Sequence, residues 1–188
     1  MQTEEGVKIM DPKKARRKES GVTLIETMIA VMLLMLMGAG MTAVFGFCTG
    51  INKSQGELST RTTELAQDKM EQLLALGFSD AASNTTVFPT TASGGAGLGG
   101  SMAPSTTVGG ITKGSPVTNY VDYTDAYGAL LTTSTGAFFT RQWSISTPAG
   151  ANPANLKTVT VVVYASTTAG GVGSSPSSTL VCMKTNNL

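Results

Sequence analysis

The chain contains no histidine. This removes the commonest general base, the commonest metal ligand and every Ser-His or Cys-His nucleophile arrangement. Charge is scarce as well. Asp, Glu, Lys and Arg together make up 13% of the 188 residues, about half the usual share. The formal net charge of +1 gives no field for holding DNA or RNA, so no nucleic-acid partner is expected. Aromatic residues are few, and the cysteines number two. No nucleophile–base constellation can be assembled from what remains, which argues against an enzyme and against a cofactor. Asp122 and Asp125 lie close in sequence, but two acids are too few for a calcium site, so no metal is expected.

What is abundant is hydroxyl and apolar matter. Ser and Thr occupy 45 positions, and 41% of residues are hydrophobic. The few charges are unevenly placed. Residues 1–21 carry six cations (Lys8, Lys13, Lys14, Arg16, Arg17, Lys18) against four acids (Glu4, Glu5, Asp11, Glu19), and the basic cluster at 13–18 stands immediately before the one long apolar run. That order keeps an N-terminus cytoplasmic and sends the following chain outward. From Thr27 to Asn52 no residue is charged. Twenty-six residues make a helix of about 39 Å, enough for one tilted crossing of a hydrocarbon core of about 30 Å. The run is too long for an ordinary secretory signal, whose apolar core is about 7–15 residues.

One residue does not fit a plain anchor. Glu26 lies inside the apolar entry to the span. An acid at the centre of a membrane helix costs on the order of 2.5–3.5 kcal/mol by insertion scales, and less toward the end. No Lys or Arg follows before Lys53, so a partner must come from another molecule or be created by processing.

The residues Ser20-Gly21-Val22-Thr23-Leu24-Ile25-Glu26, after a basic leader and before an uncharged span, resemble the class III signal of type IV pilins and pseudopilins. The resemblance implies cleavage between Gly21 and Val22 by a prepilin peptidase, N-methylation of the new amine on Val22, and Glu26 as the fifth mature residue. Glu26 would then pair with the α-amine of a neighbouring subunit. Two departures stand out. Val22 occupies a position where Phe or Met is common, and the 21-residue leader is long, so that translation from Met10 is an alternative to Met1. The resemblance further implies other pilin subunits, an inner-membrane assembly platform and its ATPase as partners. The precursor would cross the inner membrane once, with its C-terminus outside, before reaching the pilus.

Gly38, Gly40, Gly46 and Gly50 interrupt the span. Gly46-x-x-x-Gly50 suits close helix packing, and local unwinding is the alternative reading. Met28, Met32, Met35, Met37 and Met41 read as flexible filler, not as ligands. Beyond the span, Leu58, Leu65, Ala66, Met70, Leu73 and Leu74 recur at helical spacing, with Glu57, Arg61, Glu64, Asp68, Lys69 and Glu71 assigned to the opposite, solvent face. Gly77 is a stop signal. One helix is therefore expected over 22–76.

Residues 78–116 are rich in Gly, Ser and Thr and read as a mobile exposed loop. The match of Gly95-Ala-Gly97-Leu-Gly99-Gly100 to a dinucleotide fingerprint follows from composition, because no strand precedes it and no helix follows. Strand patterns come next, at 117–124, 137–147, 156–165 and 179–184, separated by turns containing Pro148, Gly150, Pro153, Gly170, Gly171, Gly173 and Pro176. The expected fold class is α+β: a long N-terminal helix, apolar in its first half and amphipathic in its second, packed on a small antiparallel sheet. The expected organisation is a leader at 1–21, an assembly segment at 22–52, the amphipathic half-helix at 53–77, the loop at 78–116 and a sheet-bearing head at 117–188.

Leu65-Ala-Gln-Asp-Lys-Met-Glu-Gln-Leu-Leu74, Phe139-Thr-Arg141-Gln-Trp143 and Leu156-Lys-Thr-Val159-Thr-Val161-Val-Val163 also resemble PilV-type minor pilins and the small pseudopilins of type II secretion. The function implied is a minor pilin. A secretion pseudopilin and a pilus-presented adhesin or other binding subunit are the alternatives. Lys113, Arg141, Lys157 and Lys184 are scattered and do not form a basic aromatic patch. The outward compartment is oxidising, so a Cys48–Cys182 disulfide is allowed; free or intermolecular thiols are the other outcome.

Overall fold

The computed structural model describes residues 21–87, 92–150, 155–166 and 175–186. The leader up to Ser20, both candidate start methionines, Pro153 and Gly170, Gly171 and Gly173 lie outside them. The fold is α+β, with one helix and one antiparallel sheet. The chain divides into two compact units between Gly46 and Phe47.

The first unit holds the beginning of helix α1 (Leu24–Ala75). Its side chains from Leu24 to Gly50 are all exposed, apolar ones included. A helical segment that is apolar and exposed all round suits lipid or other helices, not water. Among the described residues α1 alone is long and apolar enough to cross a membrane. Helical geometry continues through Gly38, Gly40, Gly46 and Gly50. A Cβ added at any of the four would meet open space, so the chain itself uses none of them for close packing.

The second unit is built on the remainder of α1 and a sheet. Strands β1 (Thr107–Gly109), β2 (Val121–Thr124), β3 (Leu130–Leu131), β4 (Phe139–Ser146), β5 (Leu156–Ala165) and β6 (Ser177–Thr185) pair antiparallel throughout. The order is β3-β2-β4-β5-β6, and β1 pairs β4 beyond β2. The alternation in β4 places Phe139, Arg141, Trp143 and Ile145 on the core face, and that in β5 places Val159, Val161 and Val163 beside them. Ala66, Met70 and Leu73 of α1 close over this face. Each apolar side chain so removed from water contributes roughly 1.5–3 kcal/mol.

Two readings of the sequence need correction. Lys69 is not on the solvent face of the helix: it is 1% exposed and shares the buried stripe with Thr62, Ala66, Met70 and Leu73. The segment 78–116 is not uniformly exposed either. Leu98 and Met102 belong to the hydrophobic core, and β1 adds a short strand to β4. Gly97 has a φ of 48°, and a Cβ there would strike Asp80, so this glycine allows two backbones to touch. Gly95 does the same against the backbone of Ser83 and Asn84, whereas Gly94 and Gly114 face open space.

Candidate functional site

Two regions carry polar chemistry that the fold positions. The first is the junction ahead of α1. Gly21 and Val22 precede the helix and are exposed. The Thr23 carbonyl accepts hydrogen bonds from the amides of Glu26 (2.9 Å) and Thr27 (3.2 Å), and the Thr27 hydroxyl donates to the Leu24 carbonyl at 2.7 Å. The Gly21–Val22 peptide bond thus stands in non-helical backbone immediately before the first turn. Glu26 is the acid of that turn, where the unpaired amides of a helix N-terminus favour negative charge. It is exposed and has no ion pair among the described residues.

The second region is a buried charge cluster between α1 and the sheet. Lys69 Nζ lies 2.7 Å from Asp122 Oδ2, and both side chains are 1% exposed. Arg141 grips the same carboxylate, Nε to Oδ1 at 2.6 Å and Nη2 to Oδ2 at 3.0 Å. Its Nη1 reaches Asp68 Oδ2 at 2.9 Å. Lys69 also donates to the Thr85 carbonyl and lies 4.3 Å from the centre of the Trp143 ring. Two cations and two carboxylates balance, which a desolvated group of charges requires. Burial lowers the Lys69 ammonium below its ordinary value, against the pull of Asp122. Burial also works to lower Arg141, but there the charge and fork of Asp122 prevail and hold the guanidinium above its ordinary value. Lys69 is lowered further by the neighbouring Arg141 charge, whereas Arg141 bonds both Asp122 and Asp68.

Two further lysines are tied to main chain. Lys157 Nζ donates to the carbonyls of Phe78 (2.6 Å), Leu98 (3.0 Å) and Gly100 (2.6 Å). Lys184 Nζ donates to Leu74 and Leu76 carbonyls at the end of α1, where a cation offsets the unpaired carbonyls of the last turn. Asp122 is consumed by Lys69 and Arg141, and Asp125 accepts from the amides of Tyr127 and Ala129, so the two acids read as neighbours do separate structural work. No group of three or more metal-ligating side chains occurs among the described residues. Cys48 and Cys182 are free thiols, the first exposed on α1 and the second half-buried on β6.

The structure places the expected Gly21, Val22 and Glu26 at the exposed start of α1, and no expectation from the sequence covered the cluster around Asp122. A signal was present: Lys69 falls at 62, 66, 69, 73 spacing, on the apolar stripe. A lysine on such a stripe calls for an internal acid.

A family model described as the prokaryotic N-terminal methylation motif matches residues 16–42. The match takes in the end of the basic cluster, the Gly21–Val22 junction, Glu26 and the first part of the apolar span. It implies a precursor of the type IV pilin-like or pseudopilin kind, handled by a prepilin peptidase and assembled with membrane machinery. No curated protein and no solved structure matches the chain.

Proposed function

We propose that this protein is a structural subunit, a minor pilin, of a type IV pilus filament. A prepilin peptidase hydrolyses the Gly21–Val22 bond, and Val22 becomes the methylated N-terminus. The freed α-amine has an ordinary pKa of about 8, so it is largely cationic at neutral pH. In the assembled fibre Glu26 of one subunit faces the Val22 amine of another, each offsetting the other's desolvation. The apolar first half of α1 supplies packing, and the single charge pair sets register between neighbours.

The observation that carries this reading is the coincidence of three features around the start of α1. The methylation motif spans residues 16–42. The Gly21–Val22 bond it brackets is exposed and outside the helix. Glu26 stands in the first turn of an apolar helix with no ion-pair partner among the described residues. A pseudopilin of a secretion system would share all three.

The test is the intact mass of the protein recovered from sheared surface fibres. The expected mass is that of residues 22–188 plus one methyl group. A retained leader would overturn the processing. Recovery of the processed chain in the membrane but never in fibres, with exported enzymes lost on its deletion, would move the assignment to a secretion piston.

A further inference from the structure

We infer that the outer edge of β6 is a docking site for an extended, uncharged segment of a partner polypeptide, added to the sheet as a further strand. Among the described residues β6 pairs with β5 alone, so Ser177–Thr185 is an edge of nine residues, about 30 Å long. Which backbone groups are free follows from the ladder. The Ala165 amide donates to the Pro176 carbonyl, and the Asn186 amide donates to the Asn155 carbonyl. In an antiparallel pair hydrogen-bonded positions alternate, so residues 178, 180, 182 and 184 direct their amides and carbonyls at β5. Thr179, Val181 and Met183 direct theirs away from the sheet. The side chains of the same three residues are exposed, Val181 at 62% and Met183 at 65%.

Edges of this length are normally blunted by lysine, proline, a bulge or an inward-pointing charge. Of these guards this edge has one, Lys184 near its C-terminal end; residues 177–183 carry none. Proline is absent from β6, and its one charge, Lys184, is turned inward and held by the Leu74 and Leu76 carbonyls. The rest of the inner face is equally committed: Ser178 bonds Thr62 and Thr63, while Leu180 and Cys182 pack against the core. What remains outward is a row of free donors and acceptors beside Thr, Val and Met side chains. Water satisfies these groups singly, whereas another extended backbone pairs the whole row in register, and an uncharged strip with apolar side chains at alternate positions selects a strand of the same character.

A second copy of this chain fits poorly. The opposite edge of the sheet offers strands of three and two residues, too short to match nine. Antiparallel pairing of two β6 edges would set the two amphipathic half-helices antiparallel, whereas chains anchored by the same end in one membrane run parallel. The inference does not depend on the filament reading.

The experiment uses the full chain in detergent micelles and a soluble peptide of alternating Val and Thr, about seven residues long and flanked by lysines. Amide exchange is read residue by residue. Without peptide, Thr179, Val181 and Met183 should exchange fast while Leu180, Cys182 and Lys184 are protected. Saturable protection of the first three by the peptide, and none by a proline-interrupted version, supports the proposal. Val181→Pro removes only an outward donor and keeps the β5 ladder; it should weaken peptide binding about tenfold or more. If that variant does not fold, Thr179→Lys with Met183→Lys places the missing guards on the edge and should have the same effect. No protection at saturating peptide, or equal binding by the variants, overturns the site. Protection that appears with protein concentration alone overturns the choice of partner, because it identifies a second copy.

Discussion

Arg141 and Asp122 face each other across neighbouring strands and lock in a two-pronged ion pair, at 2.6 and 3.0 Å, directly beneath Lys69 of the helix. The pair fixes where α1 sits on the sheet, because Lys69 and Asp68 are its only polar partners from the helix side among the described residues. Removing one member leaves an uncompensated charge in the core. Arg141→Met or Asp122→Leu should each destabilise the head by about 3–5 kcal/mol. Asp68 is 56% exposed, so Asp68→Asn should cost only about 0–1 kcal/mol. Thermal unfolding of the three variants should separate them clearly, and equal losses would mean that burial is not what makes the pair matter.

Lys157 anchors the Gly-rich segment. Its ammonium satisfies three carbonyls, of Phe78, Leu98 and Gly100. Lys157→Met keeps the stem and deletes the donor. It should cost about 1–3 kcal/mol, the price of leaving buried acceptors unpaired. The loss should be local, with faster amide exchange over 78–100 and little change in β4. A uniform rise in exchange across the sheet would show that the segment is not held by this lysine.

Asp80 gives the head an acid limb. Burial alone would raise its carboxyl, but the Ser83 hydroxyl, the Ser83 and Ala82 amides and the charge of Lys157 outweigh burial and hold it below its ordinary 3.8. A carboxyl depressed in the folded state contributes stability that is fully present above the unfolded value. That contribution is lost as pH falls from 3.8 toward the folded value. Asp80→Asn should flatten stability over this window and leave it unchanged in slope near neutrality. Melting temperatures collected between pH 2 and 6 provide the check, and parallel acid limbs for both proteins would rule Asp80 out.

Much of this architecture was legible in the residues. The helix expected over 22–76 runs Leu24–Ala75, and the strand expected over 156–165 is Leu156–Ala165. Both have long, consistent periodicity, and tertiary contacts only reinforce it. The expected strands 117–124 and 137–147 are shorter in the structure, and 179–184 is longer. Leu98 and Met102 could not be read as core, because single apolar residues among glycines have no period. The short strands β1 and β3 exist only by pairing with longer neighbours. Lys157 and Lys184 looked like scattered surface charge because their partners are main-chain carbonyls, which leave no mark on the sequence. The expectation for Gly21, Val22 and Glu26 is of the opposite kind: it rests on a local motif and needs no fold to bring its residues together.

In the proposed assembly mechanism, entry into fibres turns on Glu26. It is dispensable to the isolated chain, since it is exposed, outside the head and without an ion pair among the described residues. Glu26→Gln preserves shape and removes the charge. Stability of the head should therefore not change, and cleavage after Gly21 should proceed, because the peptide bond and its exposure are unaltered. Entry into fibres should fall, because the Val22 amine of the neighbour would enter an apolar bundle unpaired. A pairing of about 1.4 kcal/mol already corresponds to about a tenfold change in partition between membrane and fibre. The measurement is the ratio of processed chain in sheared fibres to that in membranes, for the original and the variant. An unchanged ratio with normal processing would show that the acid serves something other than pairing. A variant that is no longer cleaved would instead assign Glu26 to recognition by the peptidase.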